Sequence, residues 1–322
     1  MKNEYKRFLV FLISGIIFID FIYGISEKEI KSAIYNYPGT NYYGTETIIF
    51  WSENGKSISC ESKVFFKSPN KMRIEYKGSK NLSKYIVIDD GEYEYLYNTA
   101  KNIVTTSISF YKTDNIDKNF DLLKKNYDLI SLGSENIAGR ATDIVAIKPK
   151  NPENPFLRKI WIDKKYHIIL QDKIFQNEQL FHLSHFTTID FPKDLPDKLF
   201  VLPQNIKNVL KTDKETSFLD IESAKKKINF KLLVPKFIPE EYVFDKVDLV
   251  KKKNYEFVRI QYTDGLNVLS LFETPINIDF RDFQEPEIMN YKILYRKYKG
   301  INLTVIGILS KETLRKVINS VR

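Results

Sequence analysis

Apolar and polar residues alternate in short runs between residues 127 and 189, most clearly around Ile144 and around Ile160 and Ile162. Period-two alternation of this kind is typical of β-strands with one buried face. Residues that favour turns separate the runs, at positions 138–140, 149–155, 163–165 and 176–178. The pattern therefore predicts an antiparallel meander in which each strand is followed by a short connection.

The segment before the meander has the same alternating character and a helix at each end. Ser26 followed by Glu29 is the signature of a capping box, and it predicts a helix that ends at Pro38. A second helix is predicted over 117–127. Between the helices we predict strands at 42–51, 57–66, 71–76, 85–88, 93–97 and 98–106. A twisted antiparallel sheet with helices on one face accommodates this order of elements.

Prolines interrupt the alternation after residue 190 and mark a change of domain. Residues 204–217 are polar and rich in Lys, Asn and Asp, a composition typical of a linker. The part that follows contains a short predicted helix, four predicted strands and a final helix with Ser310 at its N-cap. The sequence thus predicts two domains, an antiparallel sheet domain at 25–203 and a small α+β domain at 218–322.

Residues 1–24 have the organisation of a secretory signal peptide. Basic residues precede an apolar run at 8–18, and Gly24 supplies a small residue for cleavage. An uncleaved membrane anchor is the alternative, but a spanning helix needs about 20 apolar residues, and Asp20 interrupts this run. We expect export to the periplasm or to the extracytoplasmic face of the membrane.

The composition is that of a folded protein with a basic surface. Hydrophobic residues make up 43% of the chain and aromatic residues 14%, which excludes a disordered chain. The net charge of +9 fits either a lysine-rich surface that keeps the protein in solution or attraction to an anionic partner. Acidic residues close to the lysine runs favour the first interpretation. Nucleic-acid binding would require basic and aromatic residues on one sheet face, and Met72, Ile74 and Tyr76 alternate with their basic neighbours instead.

Motifs of known enzyme chemistry are absent from the sequence. It contains no nucleophile elbow, metalloprotease motif, phosphate-binding glycine loop or Cys-x-x-Cys pair. His182 and His185 have a spacing that would suit a metal on a helix, but in a strand an odd separation places them on opposite faces. Cys60 is the single cysteine and forms no internal disulfide. We predict a binding protein without catalytic residues, metal or cofactor.

Two sets of sequence segments resemble the sigma-E regulatory proteins of the RseB/MucB family. In the first half they are YDLISLG, IAGR, IVAIKP and IWID; in the second half they are VPKFIPEEYVF, IQYTDGLNVLSLFE and INLTVIGILSKETLRKVINSV. They occur in the family's order and extend over nearly the whole chain after residue 24. The resemblance implies that the first domain is similar to the lipoprotein carrier LolA, with a curved half-barrel sheet and helices on its inner face.

The resemblance also implies a function. Proteins of this family bind the extracytoplasmic part of a membrane-anchored anti-sigma factor, shield it from proteolysis and respond to a lipidic or lipoprotein signal from the envelope. A LolA-like carrier of lipoproteins or acyl lipids is the alternative function. We expect partners of these kinds and no nucleic acid, and the chain could also assemble as a homo-oligomer.

Two groups of residues are the candidates for these contacts. The candidates for an apolar ligand cavity are side chains that share strand faces, namely Met72, Ile74, Tyr76, Tyr93, Tyr95 and Tyr97. The alternative for these six is ordinary core packing against the helices. The candidates for the partner surface lie in the second domain and are Tyr262, Asp264, Gly265 and Phe272.

Overall fold

The computed structural model describes residues 24–322, apart from residues 36–37, 52–54, 79–82, 110, 112–115, 204–205, 207, 211–213, 253–254 and 277–290. The predicted signal peptide, residues 1–24, lies outside the described residues except for its last position. Within the described part of the chain, no helix is both long enough and apolar enough to cross a membrane.

In the described residues, twelve strands form one open sheet that belongs mainly to the first domain. They are β1 (Tyr42–Trp51), β2 (Ser57–Lys67), β3 (Lys71–Lys77), β4 (Tyr85–Asp89), β5 (Tyr93–Asn98), β6 (Ile103–Ile108), β7 (Tyr127–Ile137), β8 (Arg140–Pro149), β9 (Phe156–Asp163), β10 (Ile169–Gln176), β11 (Gln179–Asp190) and β12 (Asn208–Leu210). The order across the sheet is β12-β6-β5-β4-β3-β2-β1-β11-β10-β9-β8-β7, so the β1–β11 pair joins two meanders. The described pairs are antiparallel, apart from the parallel pair of β12 with β6.

Two helices cover the inner face of this sheet. α1 (Glu27–Tyr35) begins with the predicted capping box, in which the Ser26 N–H donates to Glu29 Oε2 at 2.8 Å and the Glu29 N–H donates to Ser26 Oγ at 3.3 Å. α2 (Ile116–Asn126) ends where β7 begins. Ile30 of α1 and Phe120 and Leu123 of α2 form one buried cluster with Tyr127, Val145, Ile147, Ile160 and Ile162 of the sheet. The predicted antiparallel sheet with helices on its inner face is confirmed.

A second sheet and two helices form the second domain. Its strands are β13 (Lys214–Phe218), β14 (Val243–Lys252), β15 (Tyr255–Thr263), β16 (Val268–Thr274), β17 (Lys292–Tyr298) and β18 (Ile301–Gly307), in the order β13-β14-β15-β16-β18-β17. α3 (Ile221–Lys225) is short, and α4 (Lys311–Ser320) begins as predicted after Ser310, whose Oγ accepts from the Thr313 N–H at 3.0 Å. The predicted small α+β domain is confirmed, with β17 as a strand that the sequence pattern did not predict.

The segment predicted as a linker, 204–217, contributes to both sheets. β12 extends the first sheet beside β6, and β13 lies at the edge of the second sheet beside β14. A short 3₁₀ helix at Asp197–Phe200 precedes β12 and buries Phe200. The chain therefore passes from one sheet to the other between Leu210 and Lys214.

Candidate functional site

The turn between β15 and β16, residues 263–267, connects the second domain to the first. Leu266 packs against the cluster that joins the helices to the first sheet. Asp264 is 1% exposed, and its carboxylate accepts hydrogen bonds from the Tyr127 hydroxyl at 2.6 Å and from the Asn267 side chain at 3.0 Å. Burial, followed by the Asp264 charge, raises the pKa of Tyr127 far above its usual range, so its hydroxyl remains a donor. The turn is therefore fixed against α2 and β7.

Gly265 allows this close approach. Its φ is +95°, in the left-handed region that favours glycine. A Cβ atom at this position would lie 2.4 Å from the backbone nitrogen of Leu123 and 2.7 Å from the carbonyl oxygen of Asn119, both in α2. The Tyr35 hydroxyl of α1 donates to the Gly265 carbonyl oxygen. A side chain at position 265 would push the turn away from the first domain.

A second polar contact lies beside the turn. The Asn126 side chain donates to the carbonyl oxygens of Glu241 at 2.8 Å and of Asp264 at 2.9 Å, and the Asn151 side chain donates to the Glu241 carboxylate. Tyr242 is buried next to Asp264, and burial followed by the Asp264 charge raises the pKa of Tyr242. The two domains thus share a largely buried hydrogen-bond network that holds them in one arrangement.

A cavity of about 260 Å³ lies next to this network, between the two domains. β1, β7, β9, β10 and β11 supply its first-domain wall, and the 263–267 turn and two further positions supply the second-domain side. The lining residues are Phe50, Tyr127, Phe156, Arg158, Asp172, Ile174, Phe181, His182, Leu266, Asn267, Tyr291 and Ile308. We call this space the interdomain cavity.

Aromatic side chains dominate one side of the interdomain cavity. The ring centroids of Phe156 and Phe181 lie 6.1 Å apart, and those of Phe50 and His182 lie 4.7 Å apart. Ile174 of β10 is the direct neighbour of His182 on β11. Such a surface favours an apolar part of a ligand, because burying that part removes it from water.

An ion pair with restricted access to solvent forms the polar side of the cavity. The Arg158 guanidinium donates to the Asp172 carboxylate from Nη2 at 2.7 Å and from Nε at 3.0 Å. Burial would lower the pKa of Arg158, but the Asp172 charge and its hydrogen bonds outweigh burial and keep that pKa raised. Because the two charges neutralise each other, the pair offers no net charge to a ligand.

His182 contributes a neutral ring to the same wall. Burial lowers its pKa, the Asp172 charge opposes that shift and the Arg158 charge adds to it. Its Nδ1 atom is buried and has no hydrogen-bond partner among the described residues. His185 pairs with Gln171 and faces the other side of the sheet, so the two histidines do not meet. In the described parts of the chain, no group of three or more potential metal ligands occurs.

Cys60 is a free, buried thiol on the inner face of the same sheet. Burial, followed by the Glu46 charge, raises the pKa of Cys60 to about 11. A thiol with a raised pKa is a poor nucleophile at neutral pH. Its environment is therefore that of a structural residue in a strand, as the sequence predicted.

The six residues predicted to line a ligand cavity separate into two groups. Met72, Ile74 and Tyr76 alternate on the inner face of β3. Met72 and Ile74 pack into a core cluster with Phe66, and the Tyr111 hydroxyl lies 3.3 Å from the Met72 sulfur. Protein side chains fill this part of the inner face.

Tyr93, Tyr95 and Tyr97 lie on the opposite, outer face. Residues that pair directly across strands share a face, and Arg73 pairs with Ile88, which pairs with Tyr95. Arg73 alternates with Met72 and Ile74 on β3, so it and the three tyrosines lie on the outer face. The two groups therefore do not form one surface, and ligand binding by either group stays a prediction. The interdomain cavity is formed mainly by β9, β10 and β11, where the sequence predicted strands but marked no ligand site.

The four residues predicted as a partner surface occupy three different environments. Tyr262 is 7% exposed and belongs to the core of the second domain. Asp264 and Gly265 form the contact with the first domain and are not accessible to a partner in this arrangement. Phe272 packs against Phe257 on the other face of the second sheet, with ring centroids 6.1 Å apart. Partner binding at these positions stays a prediction.

Comparison with known proteins gives matches along the chain. Residues 83–204 match the family model of the MucB/RseB N-terminal domain. An uncharacterised protein of Methanocaldococcus jannaschii is 24% identical over 347 aligned residues, which cover 99% of this chain and 99% of that protein. The sigma-E factor regulatory protein RseB of Haemophilus influenzae is 25% identical over 211 residues, which cover 63% of this chain and 62% of that protein.

Solved structures extend the similarity to both domains. The crystal structure of MucB covers 92% of this chain and 95% of its own at 14% identity, with a TM-score of 0.56. The complex of Pseudomonas aeruginosa MucA and MucB gives 92% and 96% coverage at 15% identity, with a TM-score of 0.52. Sheet, helices and second domain therefore define a two-domain protein with the MucB fold. Residues 83–204 thus match the MucB/RseB N-terminal domain and the overall fold is that of MucB, in agreement with the resemblance of the sequence segments.

Proposed function

We propose that this protein is an exported, non-enzymatic regulator that binds the extracytoplasmic part of a membrane-anchored anti-sigma factor. RseB is a regulatory protein by name and MucB forms a complex with MucA, so the family is one of regulatory binding proteins. The observation that carries the proposal is the similarity to MucB across both domains. At 14% identity this is a similarity of fold, so the proposal transfers the class of partner and not the contact residues.

The interdomain cavity is the binding site that we propose on this chain. Its aromatic wall suits an apolar side chain of the partner segment, and the Arg158–Asp172 pair and the neutral His182 leave it without net charge. Because both domains line the cavity, an occupant would contact the first-domain wall and the 263–267 turn together. Binding there would couple the partner to the arrangement of the domains.

The size of the cavity favours a side chain over a whole lipid. Ligand pockets usually enclose about 300–1,000 Å³, whereas the interdomain cavity encloses about 260 Å³. In this proposal, a lipidic or lipoprotein signal from the envelope displaces the partner from the cavity and is not carried inside it. The alternative function, a LolA-like lipoprotein or lipid carrier, requires a cavity that holds a whole acyl chain.

Capture of the partner from the host envelope tests the proposal. The chain from residue 25 onward, which contains every described helix and strand, is immobilised and incubated with detergent-solubilised envelope. The eluate is then searched for proteins and for lipids. We expect a single-span membrane protein that is encoded beside a sigma factor gene, with little lipid. A synthetic peptide of its extracytoplasmic segment should bind the immobilised chain directly.

Two outcomes of this experiment count against the proposal. Acyl lipid or lipoprotein in near-stoichiometric amount, without a single-span partner, would favour the carrier function. Recovery of a membrane protein whose extracytoplasmic peptide does not bind would show that the contact lies elsewhere in that protein or is indirect.

A further inference from the structure

The outer face of the first sheet, opposite the helices, carries a strip of lysine and aromatic residues. Val145 and Ile160 point towards the helices, so their sequence neighbours point outward. Ala146 pairs with Lys159, and Lys159 pairs with Lys173, so these three residues share the outer face. We call the strip of Lys148, Leu157, Lys159, Trp161, Lys173 and Phe175 the outer patch.

Two lysines of the outer patch lie over its aromatic rings. Lys159 Nζ is 5.3 Å from the centroid of the Phe175 ring, and Lys173 Nζ is 4.8 Å from the centroid of the Trp161 ring. In this position the ammonium groups lie over the ring faces in cation–π contacts, and the alkyl stems cover apolar surface.

The lysines of the outer patch differ from a nearby lysine in their ionic contacts. No carboxylate of the described residues forms an ion pair with Lys148, Lys159 or Lys173, whereas nearby Lys164 pairs with Asp143 at 2.9 Å. Two carboxylates lie beside the patch: Glu135 accepts the Trp161 indole N–H at 2.7 Å, and Asp128, the cross-strand neighbour of Lys148, lies 3.8 Å from Lys150 Nζ. The patch therefore combines unpaired cations with apolar and aromatic surface.

We propose that the outer patch binds the surface of a membrane that contains anionic lipids. Unpaired lysines attract phosphate head groups, and each lysine near such a surface strengthens binding about fivefold. Leu157 and Phe175, which are both partly exposed, give contact with the interfacial layer of the bilayer, where aromatic rings are favoured. The proposal goes beyond the partner binding proposed above and does not depend on it.

The position of the outer patch is compatible with simultaneous binding of a partner. α1 and α2 cover the inner face of the sheet, and the interdomain cavity opens on that same side. A protein that lies on a membrane through its outer patch would therefore leave the cavity accessible.

An anionic membrane fits the outer patch better than a nucleic acid or a second copy of the chain. Stacking of bases needs accessible aromatic rings, whereas Trp161 is 5% exposed. A symmetric contact between two copies would place the lysines of one patch against the same lysines of the other. A bilayer surface meets neither difficulty.

Co-sedimentation of the chain from residue 25 onward with lipid vesicles tests this proposal. We expect binding to phosphatidylcholine vesicles that contain phosphatidylglycerol, no binding to pure phosphatidylcholine, and weaker binding as salt is added. The patch variant Lys148→Gln/Lys159→Gln/Lys173→Gln should bind on the order of 100-fold more weakly. The control variant is Lys226→Gln/Lys227→Gln/Lys299→Gln, which removes three positive charges from exposed positions of the second domain. It should bind the vesicles nearly as tightly as the unmodified chain.

Thermal unfolding of both variants without vesicles separates loss of binding from loss of folding. Equal weakening of the two variants would overturn the proposal, because net charge alone would then explain the attraction. Absence of binding to anionic vesicles, or a patch variant that sediments like the unmodified chain, would overturn it too. A dimer of the unmodified chain that disappears in the patch variant, seen by analytical ultracentrifugation, would make the patch a contact between copies instead.

Discussion

The Tyr127 hydroxyl donates a 2.6 Å hydrogen bond to the Asp264 carboxylate, although 137 positions separate the two residues along the chain. Tyr127 begins β7 in the first domain, and Asp264 lies in the turn that follows β15 in the second. The other oxygen of the carboxylate accepts the backbone N–H groups of Leu266 and Asn267. The arrangement of the two domains is therefore linked to the local geometry of one turn.

Replacing Tyr127 with Phe should lower the free energy of unfolding by about 2 kcal/mol, because a buried carboxylate loses a hydrogen-bond donor. Urea denaturation followed by tryptophan fluorescence measures the change. Tyr97→Phe is the control, since the Tyr97 hydroxyl donates at 3.2 Å to the neutral Asn102 side chain within one hairpin. The control should cost at most about 1 kcal/mol. Equal losses in the two variants would contradict the prediction.

Gly265→Ala should destabilise the contact between the domains more than backbone strain alone explains. Gly300 is the matched control, because its φ is +82° and no atom lies within 4 Å of the place that a Cβ atom would occupy, whereas Gly265 has a φ of +95° and a backbone atom at 2.4 Å. We expect Gly300→Ala to cost about 1–2 kcal/mol and Gly265→Ala to cost more. Limited proteolysis and thermal unfolding measure both effects. Identical behaviour of the two variants would show that the turn can move without cost.

Arg158→Met should lower the free energy of unfolding by about 3 kcal/mol, because Asp172 would keep a charge without a partner in a region of restricted solvent access. The double variant Arg158→Met/Asp172→Leu should lie close to the unmodified protein, since both charges are then absent. Lys316→Met is the control for an exposed ion pair, with Glu312 at 3.0 Å, and should change stability by at most about 0.5 kcal/mol. A double variant as unstable as Arg158→Met would show that the unpaired charge of Asp172 does not cause the loss of stability.

Glu273 is a carboxyl group with 0% exposure in the second domain. Burial raises the pKa of Glu273 to about 8, although the Leu233 backbone N–H donates to it at 3.0 Å and opposes the shift. Because the folded state holds this proton more tightly than the unfolded state, the stability contributed by protonated Glu273 is complete below about pH 4.5. It is lost as the pH rises through about 8.

Glu273→Gln should remove this pH dependence, since an amide does not titrate. We expect its free energy of unfolding to fall less than that of the unmodified protein as the pH rises from about 4.5 to about 8. Chemical denaturation at a series of pH values measures the difference between the two curves. Glu222→Gln, at an exposed position of α3, is the control and should leave the pH dependence unchanged. Parallel curves for Glu273→Gln and the unmodified protein would contradict the expected ionisation.

Ile174→Phe should weaken capture of the membrane-anchored partner at least about tenfold, a loss of about 1.4 kcal/mol in binding free energy. The larger ring would occupy part of the interdomain cavity that Ile174 lines. Leu180→Phe adds a ring in the neighbouring strand on the face away from the cavity and should capture the partner normally. Quantitative recovery from envelope extract measures both. Unchanged recovery with Ile174→Phe would place the partner outside the cavity.

Local signals in the sequence located most of the helices and strands, because each signal acts over a few residues. Ser26 and Ser310 cap α1 and α4 as their neighbours predicted, with hydrogen bonds to nearby backbone N–H groups. β17 escaped prediction because Ile293, Leu294 and Tyr295 are consecutive and do not alternate with polar residues.

The candidate site depends on relationships between strands, which alternation does not contain. Alternation identifies the residues that share a face within one strand. Which of these faces lies on the same side of the sheet as a given face of the next strand depends on the pairing register. The sequence therefore suggests Tyr95 and Met72 as members of one ligand cavity, whereas the register places them on opposite faces of the sheet. Asp264 had the sequence features of a turn residue, and nothing near it in sequence indicated the distant Tyr127.

The passage of the chain between the two sheets limits how the domains can move. Leu210 ends β12 and Lys214 begins β13, so four residue steps separate the two paired strands. At about 3.6 Å per residue, these strand ends stay within about 14 Å of each other while both strands remain paired. This limit holds for any arrangement of the domains that leaves β12 and β13 paired. A ligand that drove these strand ends further apart would therefore have to detach β12 or β13 from its sheet.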